Sequence, residues 1–174
     1  MSKKLSKPTI ALHWLTGLTF IGIFVLGKVF ESMERSPEKF ELLGIHKSLG
    51  VILLVIATTR LIWRFKEGPI ESAAPMPRLQ EIAAKSIHHL LLLGTLLMPT
   101  SGIMMSIGGG RGIDVFGWVL YSKGDKIEWL GSLGSNLHGI GATILMVAVA
   151  LHVLGAIKHQ VVDKDGTLSR MLGR

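Results

Sequence analysis

The sequence predicts an all-α protein, a four-helix bundle built into a membrane with both termini cytoplasmic, and three observations predict it. Four apolar runs, 10–27, 45–63, 87–107 and 137–157, each approach the ~20 residues that cross the hydrocarbon core. Hydrophobic residues make up 48% of the 174-residue chain and its mean hydropathy is positive, together a poor fit to a water-soluble domain of this size. Lys and Arg gather outside alternate ends of the runs, which is how a multispanning chain fixes its orientation. Twelve of them, including Lys3, Lys4, Lys7, Arg60, Arg64 and Arg170, fall at the two termini and the second connection, against seven in the other two connections. One domain, 1–174, accommodates all four spans.

The first span follows a basic MSKKLSK segment without a convincing small-residue cleavage site, so it is read as a retained helix. It carries His13 and Trp14. The second span opens on His46 and closes on Arg60, Trp63 and Arg64. Residues 68–78, with three prolines and no periodicity, read as a flexible cytoplasmic loop. The third span has His88 and His89 near its cytoplasmic end and Pro99 inside it, where a kink is expected unless neighbours satisfy the freed carbonyl. The connection 108–136 opens on GGGRG and contains an apolar and aromatic run, 115–121, placed to pack over the bundle mouth. Trp14 and Trp63 then fall at the inner interface, and Trp118, Tyr121 and Trp129 at the outer one, as an aromatic belt requires.

The fourth span holds His138 and His152, fourteen residues apart. At 100° and 1.5 Å per residue they return to within about 40° of one face and stand roughly 21 Å apart along the axis. Imidazole is costly in hydrocarbon without a partner, so two on one stripe read as functional. In the predicted topology His13 shares the cytoplasmic level with His152, and His46 shares the outer level with His138. Taken singly, a histidine near a helix end is ordinarily an interfacial residue bonded to water or a carbonyl. Four at two matched depths instead suit bis-histidine ligation of two stacked b-type haems, with helix four serving both. The chain has no cysteine, so disulfides, cysteine-held Fe–S clusters and covalent haem attachment are excluded.

Each of the four histidines has a glycine one turn on, at Gly17, Gly50, Gly141 and Gly155, where a missing side chain would let a flat macrocycle approach the helix. His159 lies on nearly the face of His152 and is an alternative inner ligand by phase. At about 10 Å further along the axis it is better placed for a haem propionate or a quinone carbonyl. Arg60 and Arg64 are candidates for propionates, since guanidinium forks suit carboxylates, with positive-inside anchoring as their plain role. His88 and His89 read as interfacial. The net charge of +7 lies between the apolar runs and not along one stripe, so the basic residues read as topology signals and count against nucleic-acid binding.

The chain resembles the bacterial cytochrome b561 family over essentially its whole length. The resemblance rests on ALHWL in the first span, IHKSLG and RLIWR at the ends of the second, IHHLLL in the third, LHGIG and ALHVLG in the fourth, and a C-terminal HQVVDKDGTLSRM. It implies a four-helix bundle of the bacterial inner membrane holding two haem b groups, with axial ligands His13, His46, His138 and His152. It also implies electron exchange with a quinone such as ubiquinone and contacts to quinone or propionate at His88 and His159. The expected partners are lipid, quinone, an outer-side electron donor or acceptor, and a second copy of the chain. Members that resemble the family include one that oxidises superoxide, but here each outer connection balances its basic residues with acids, which gives an anion little attraction. Two other classes remain: a haem-bearing membrane anchor for a dehydrogenase or hydrogenase, and a metal-ion transporter. The four spans lack Asp and Glu, which counts against the transporter.

Overall fold

The computed structural model describes residues 4–174. Lys3, counted above among the cytoplasmic basic residues, lies outside them. Four long helices, α1 (Lys7–Ser32), α2 (Pro37–Glu67), α3 (Arg78–Gly108) and α4 (Glu128–Lys158), account for most of the chain. All four are long and apolar enough to cross a membrane. Each extends past its apolar run, and in α1 and α2 the ends carry helix signals of their own. The hydroxyls of Ser6 and Ser36 accept the amides of Thr9 and Lys39, each at 3.3 Å, and proline stands in the first turn of both helices. Arg64 and Lys66 in the last turn of α2 complement its dipole, and Gly68 ends it with φ 84°.

Helix α3 runs unbroken through Pro99, which is buried. Helix α4 begins nine residues before its apolar run, so the connection after α3 is shorter than the hydropathy suggests. Part of that connection forms a hairpin, β1 (Ile113–Val115) with β2 (Trp118–Tyr121). It packs on α2, with a smaller contact to α3. Ser48, 3% exposed, fixes it there by accepting the Phe116 amide at 3.1 Å. The Lys47 ammonium donates to the Gly112 carbonyl at 3.2 Å. After α4 a π-helical turn (His159–Asp163) leads to α5 (Thr167–Met171). The Trp14 indole donates to the Met171 carbonyl at 2.9 Å, so the tail returns to the start of α1 and both ends of the chain lie at one end of the bundle.

The helices pair α1 with α2 and α3 with α4, and α2 joins the pairs by packing on α3. Glycines let α3 and α4 approach closely: Gly94 faces Leu145, and Gly108 faces Gly131. Among the described residues, α4 makes no comparably close approach to α1 or α2. A small apolar core of Phe20, Ile23, Leu53, Met98 and Leu145 joins all four helices. Leu145 is midway in sequence between His138 and His152, so this core forms a layer between the two histidine levels. Large side chains such as Leu18, Val55, Leu97 and Leu154 are exposed on the bundle exterior, where lipid is the only solvent that suits them.

Candidate functional site: two histidine pairs at two levels

The histidines of three different helices meet as the depth argument expects. His13 of α1 and His152 of α4 have ring centroids 5.9 Å apart, with planes inclined at 57°. His46 of α2 and His138 of α4 stand 6.2 Å apart, inclined at 74°. These rings bridge the space that the helix backbones leave between α4 and the α1/α2 pair.

The spacing is that of two imidazoles sharing one metal ion. A nitrogen–metal distance of about 2 Å on each side, added to the distance from ring centre to nitrogen, separates the centroids by about 6 Å. The ring nitrogens are disposed accordingly. His46 Nδ1 lies 3.2 Å from the Ile23 carbonyl, and His138 Nδ1 lies 3.1 Å from the Met98 carbonyl and 3.0 Å from the Ser101 hydroxyl. A carbonyl only accepts, so each Nδ1 carries the proton and Nε2 presents its lone pair. The Ser101 hydroxyl itself donates to the Met98 carbonyl at 2.8 Å, which leaves its lone pairs for His138. Two glycines make room for these rings: a Cβ at Gly27 would lie 3.3 Å from His46, and one at Gly102 would lie 3.4 Å from His138.

The four glycines noted in the sequence have open space at three places and a neighbouring side chain at one. A Cβ at Gly17, Gly50 or Gly155 would meet nothing within 4 Å, although each residue is partly buried, so there is space for a flat group beside His13, His46 and His152. At Gly141 the Met98 sulfur lies 3.0 Å from the Cβ position, so this glycine serves the packing of α3 on α4. Ring spacing and open helix faces fit haem at both levels, and at the His46/His138 level the Nε2 atoms also present their lone pairs.

The second set of candidates divides. Arg60 lies beside the α1/α4 pair, with Nη2 3.4 Å from His13 Nδ1. His88 of α3 presses edge-on against His152 with centroids 5.1 Å apart, its own Nδ1 bonded to the Ala84 carbonyl at 2.6 Å. Arg64 is occupied by the Gly68 carbonyl at the end of its own helix. His89 turns outward and bonds to Lys85 of α3.

His159 meets Asp165 at 2.6 Å and Asp163 at 3.2 Å, and Asp163 also pairs with Lys158. With Asp163 and Asp165 it lines a cavity of about 250 Å³ bounded on its other side by Ala74, Pro75, Met76, Pro77 and Gln80. Burial works to raise the Asp165 pKa, but hydrogen bonds from Thr167 and His159 outweigh it and hold the carboxyl below its usual range. A carboxyl depressed in the fold contributes stability above its unfolded pKa of about 4 and loses it as pH falls through the lower folded value. The turn between His159 and Thr167, which carries the tail toward Trp14, is therefore expected to hold at pH 5 and to loosen only below pH 4. Fluorescence of Trp14, whose indole holds Met171, reports this directly. Loosening already at pH 5 would contradict the assignment.

Comparison with known proteins gives a consistent picture. A family model described as prokaryotic cytochrome b561 matches residues 4–174. The chain is 33% identical to cytochrome b561 homolog 2 of Escherichia coli strain K12, with 94% of this chain and 88% of that protein aligned. It is 27% identical to cytochrome b561 homolog 1 of the same strain, over 98% of each. To a Yersinia pestis protein named probable superoxide oxidase CybB it is 26% identical, over 99% of this chain and 97% of that one.

Proposed function

This chain belongs to the prokaryotic cytochrome b561 family, as a membrane b-type cytochrome of electron transfer, and on that premise we propose that it holds two haems and exchanges electrons with the quinone pool. The observation that carries the proposal is the pair of histidine couples at two levels, with centroid separations of 5.9 and 6.2 Å. His13 and His152 hold one haem, and His46 and His138 the other. Haem b supplies one-electron cycling between ferric and ferrous iron, and with two imidazoles on each iron no position remains for oxygen or substrate.

The protein's own groups do the rest. The carbonyls of Ile23 and Met98, with the Ser101 hydroxyl, fix the tautomer and tilt of His46 and His138. The layer of Phe20, Ile23, Leu53, Met98 and Leu145 keeps the two levels apart and dry. An imidazole bound through Nε2 keeps its proton on Nδ1, so Arg60 loses the acceptor it has at His13 and its fork becomes available to a propionate. His88, against His152, lies at the edge of the same site. Arg64 is a weaker candidate for a propionate because the Gly68 carbonyl occupies it. His159 faces a cavity beside the tail, which supports quinone contact there.

The excess of basic residues at the termini and at 60–85 supports a cytoplasmic location for both chain ends, and so for the His13/His152 level, in a bacterial inner membrane. The two outer connections carry seven basic and seven acidic residues, so nothing there favours superoxide as donor. The deciding experiment is a reduced-minus-oxidised visible spectrum of detergent-purified protein with pyridine haemochrome quantification, followed by addition of ubiquinone-1 to the reduced protein. The expected result is about two b haems per chain, one for each bis-histidine site, and reoxidation by the quinone. A colourless protein sinks the haem reading, and a reduced protein inert to quinone sinks the quinone one.

A further inference from the structure

The two histidine pairs differ in what faces Nδ1. At His46 and His138 the contacts of that atom are uncharged oxygens: the Ile23 carbonyl at 3.2 Å, the Ser101 hydroxyl at 3.0 Å and the Met98 carbonyl at 3.1 Å. Lys47 follows His46 in the chain, but its ammonium is drawn off to the Gly112 carbonyl of the hairpin. At the other level a permanent cation stands 3.4 Å from His13 Nδ1 in the form of Arg60, with Arg64 one turn further along the same helix. Among the described residues no carboxylate pairs with Arg60 to cancel its charge.

Both differences act in one direction. An imidazole that gives its N–H to a carbonyl becomes a more basic ligand, which favours oxidised iron. A guanidinium a few ångströms away favours reduced iron, because reduction removes one positive charge from its neighbourhood. If Arg60 turns to a propionate, it offsets that negative charge and the sign is unchanged.

We propose that Arg60 makes the His13/His152 site the higher-potential site of the two, so that an electron shared between them rests there. The inference rests on the two-haem reading. The exchange is one electron, with iron held by His46 and His138 oxidised as iron held by His13 and His152 is reduced, and no proton or bond changes hands.

Redox titration of the purified holoprotein tests it, followed by visible absorbance, with each transition assigned from His138→Ala and His152→Ala. Two transitions are expected, the higher belonging to His13/His152. Arg60→Gln is expected to move that transition to lower potential and leave the other in place, while Arg60→Lys, which keeps the charge, holds it near the parent value. Should Arg60→Gln fail to take up haem, the order of the transitions in the parent protein and the position in Arg60→Lys still decide. A higher transition assigned to His46/His138 overturns the proposal, as does an Arg60→Gln variant that takes up both haems with its transition unmoved. A parent protein with fewer than two haems fails the two-haem reading itself, before any potential is measured, and takes this inference with it.

Discussion

His138→Ala is expected to lose the haem of one level and keep the other, so that haem content falls from about two per chain to about one. His152→Ala is expected to give the same fall with the opposite haem retained. The argument lies in which helices the pairs share. Both pairs draw one histidine from α4, but their partners come from α1 and α2, and a buried apolar layer lies between the levels. Removing one ring therefore leaves the other pair's geometry intact. His88→Ala is the informative control, because this ring lies closer to His152 than His13 does, at 5.1 Å against 5.9 Å. Its Nδ1 is tied to the Ala84 carbonyl of its own helix. His88→Ala should thus retain both haems, whereas His13→Ala should lose one. The reverse pattern in pyridine haemochrome content would transfer the ligand role to α3.

Much of this arrangement was legible in the sequence, because hydropathy fixes depth and depth sorts histidines. His13 and His152 are far apart in the chain, yet each lies near the same end of its span, and helices crossing the same slab must bring them to one level. What depth does not fix is rotation. The contribution of α3 depends on how it is turned against α4, so Ser101, the Met98 carbonyl and Gly102 around His138 had no signal beyond their polar or small side chains inside an apolar run. Gly141 shows the same limit: one turn from His138 suited a cofactor or a neighbouring helix equally well, and the Met98 sulfur occupies the place. The early start of α4 was hidden because its first nine residues, EWLGSLGSN, are too polar to register as a span. The hairpin was hidden for another reason, since its seat on α2 is made by Ser48 and Lys47, whose side chains bond to backbone groups nearly seventy positions away.

The sharpest test of the two kinds of glycine is to fill one of each. In Gly155→Leu the new side chain enters open space one turn from His152, and Leu is the better helix former by roughly 0.5–1 kcal/mol. The apoprotein should therefore fold at least as well, while the haem of the His13/His152 level is lost and that of the other level remains. Gly50→Leu should do the same at the His46/His138 level. Gly134→Val is expected to behave oppositely. A Cβ there would lie 2.5 Å from the Met105 amide nitrogen and 2.9 Å from the Ser101 carbonyl, and backbone cannot rotate away as a side chain can. Helices α3 and α4 must part, at a cost of about 1–3 kcal/mol or more, with the surroundings of His138 displaced along with Ser101. Melting temperature of the apoproteins in detergent, read beside the haem content of the holoproteins, separates the cases: Gly155→Leu should lower haem content alone, and Gly134→Val should lower both. A stable Gly155→Leu protein with its full complement of haem would mean that the space beside His152 faces lipid and not a cofactor.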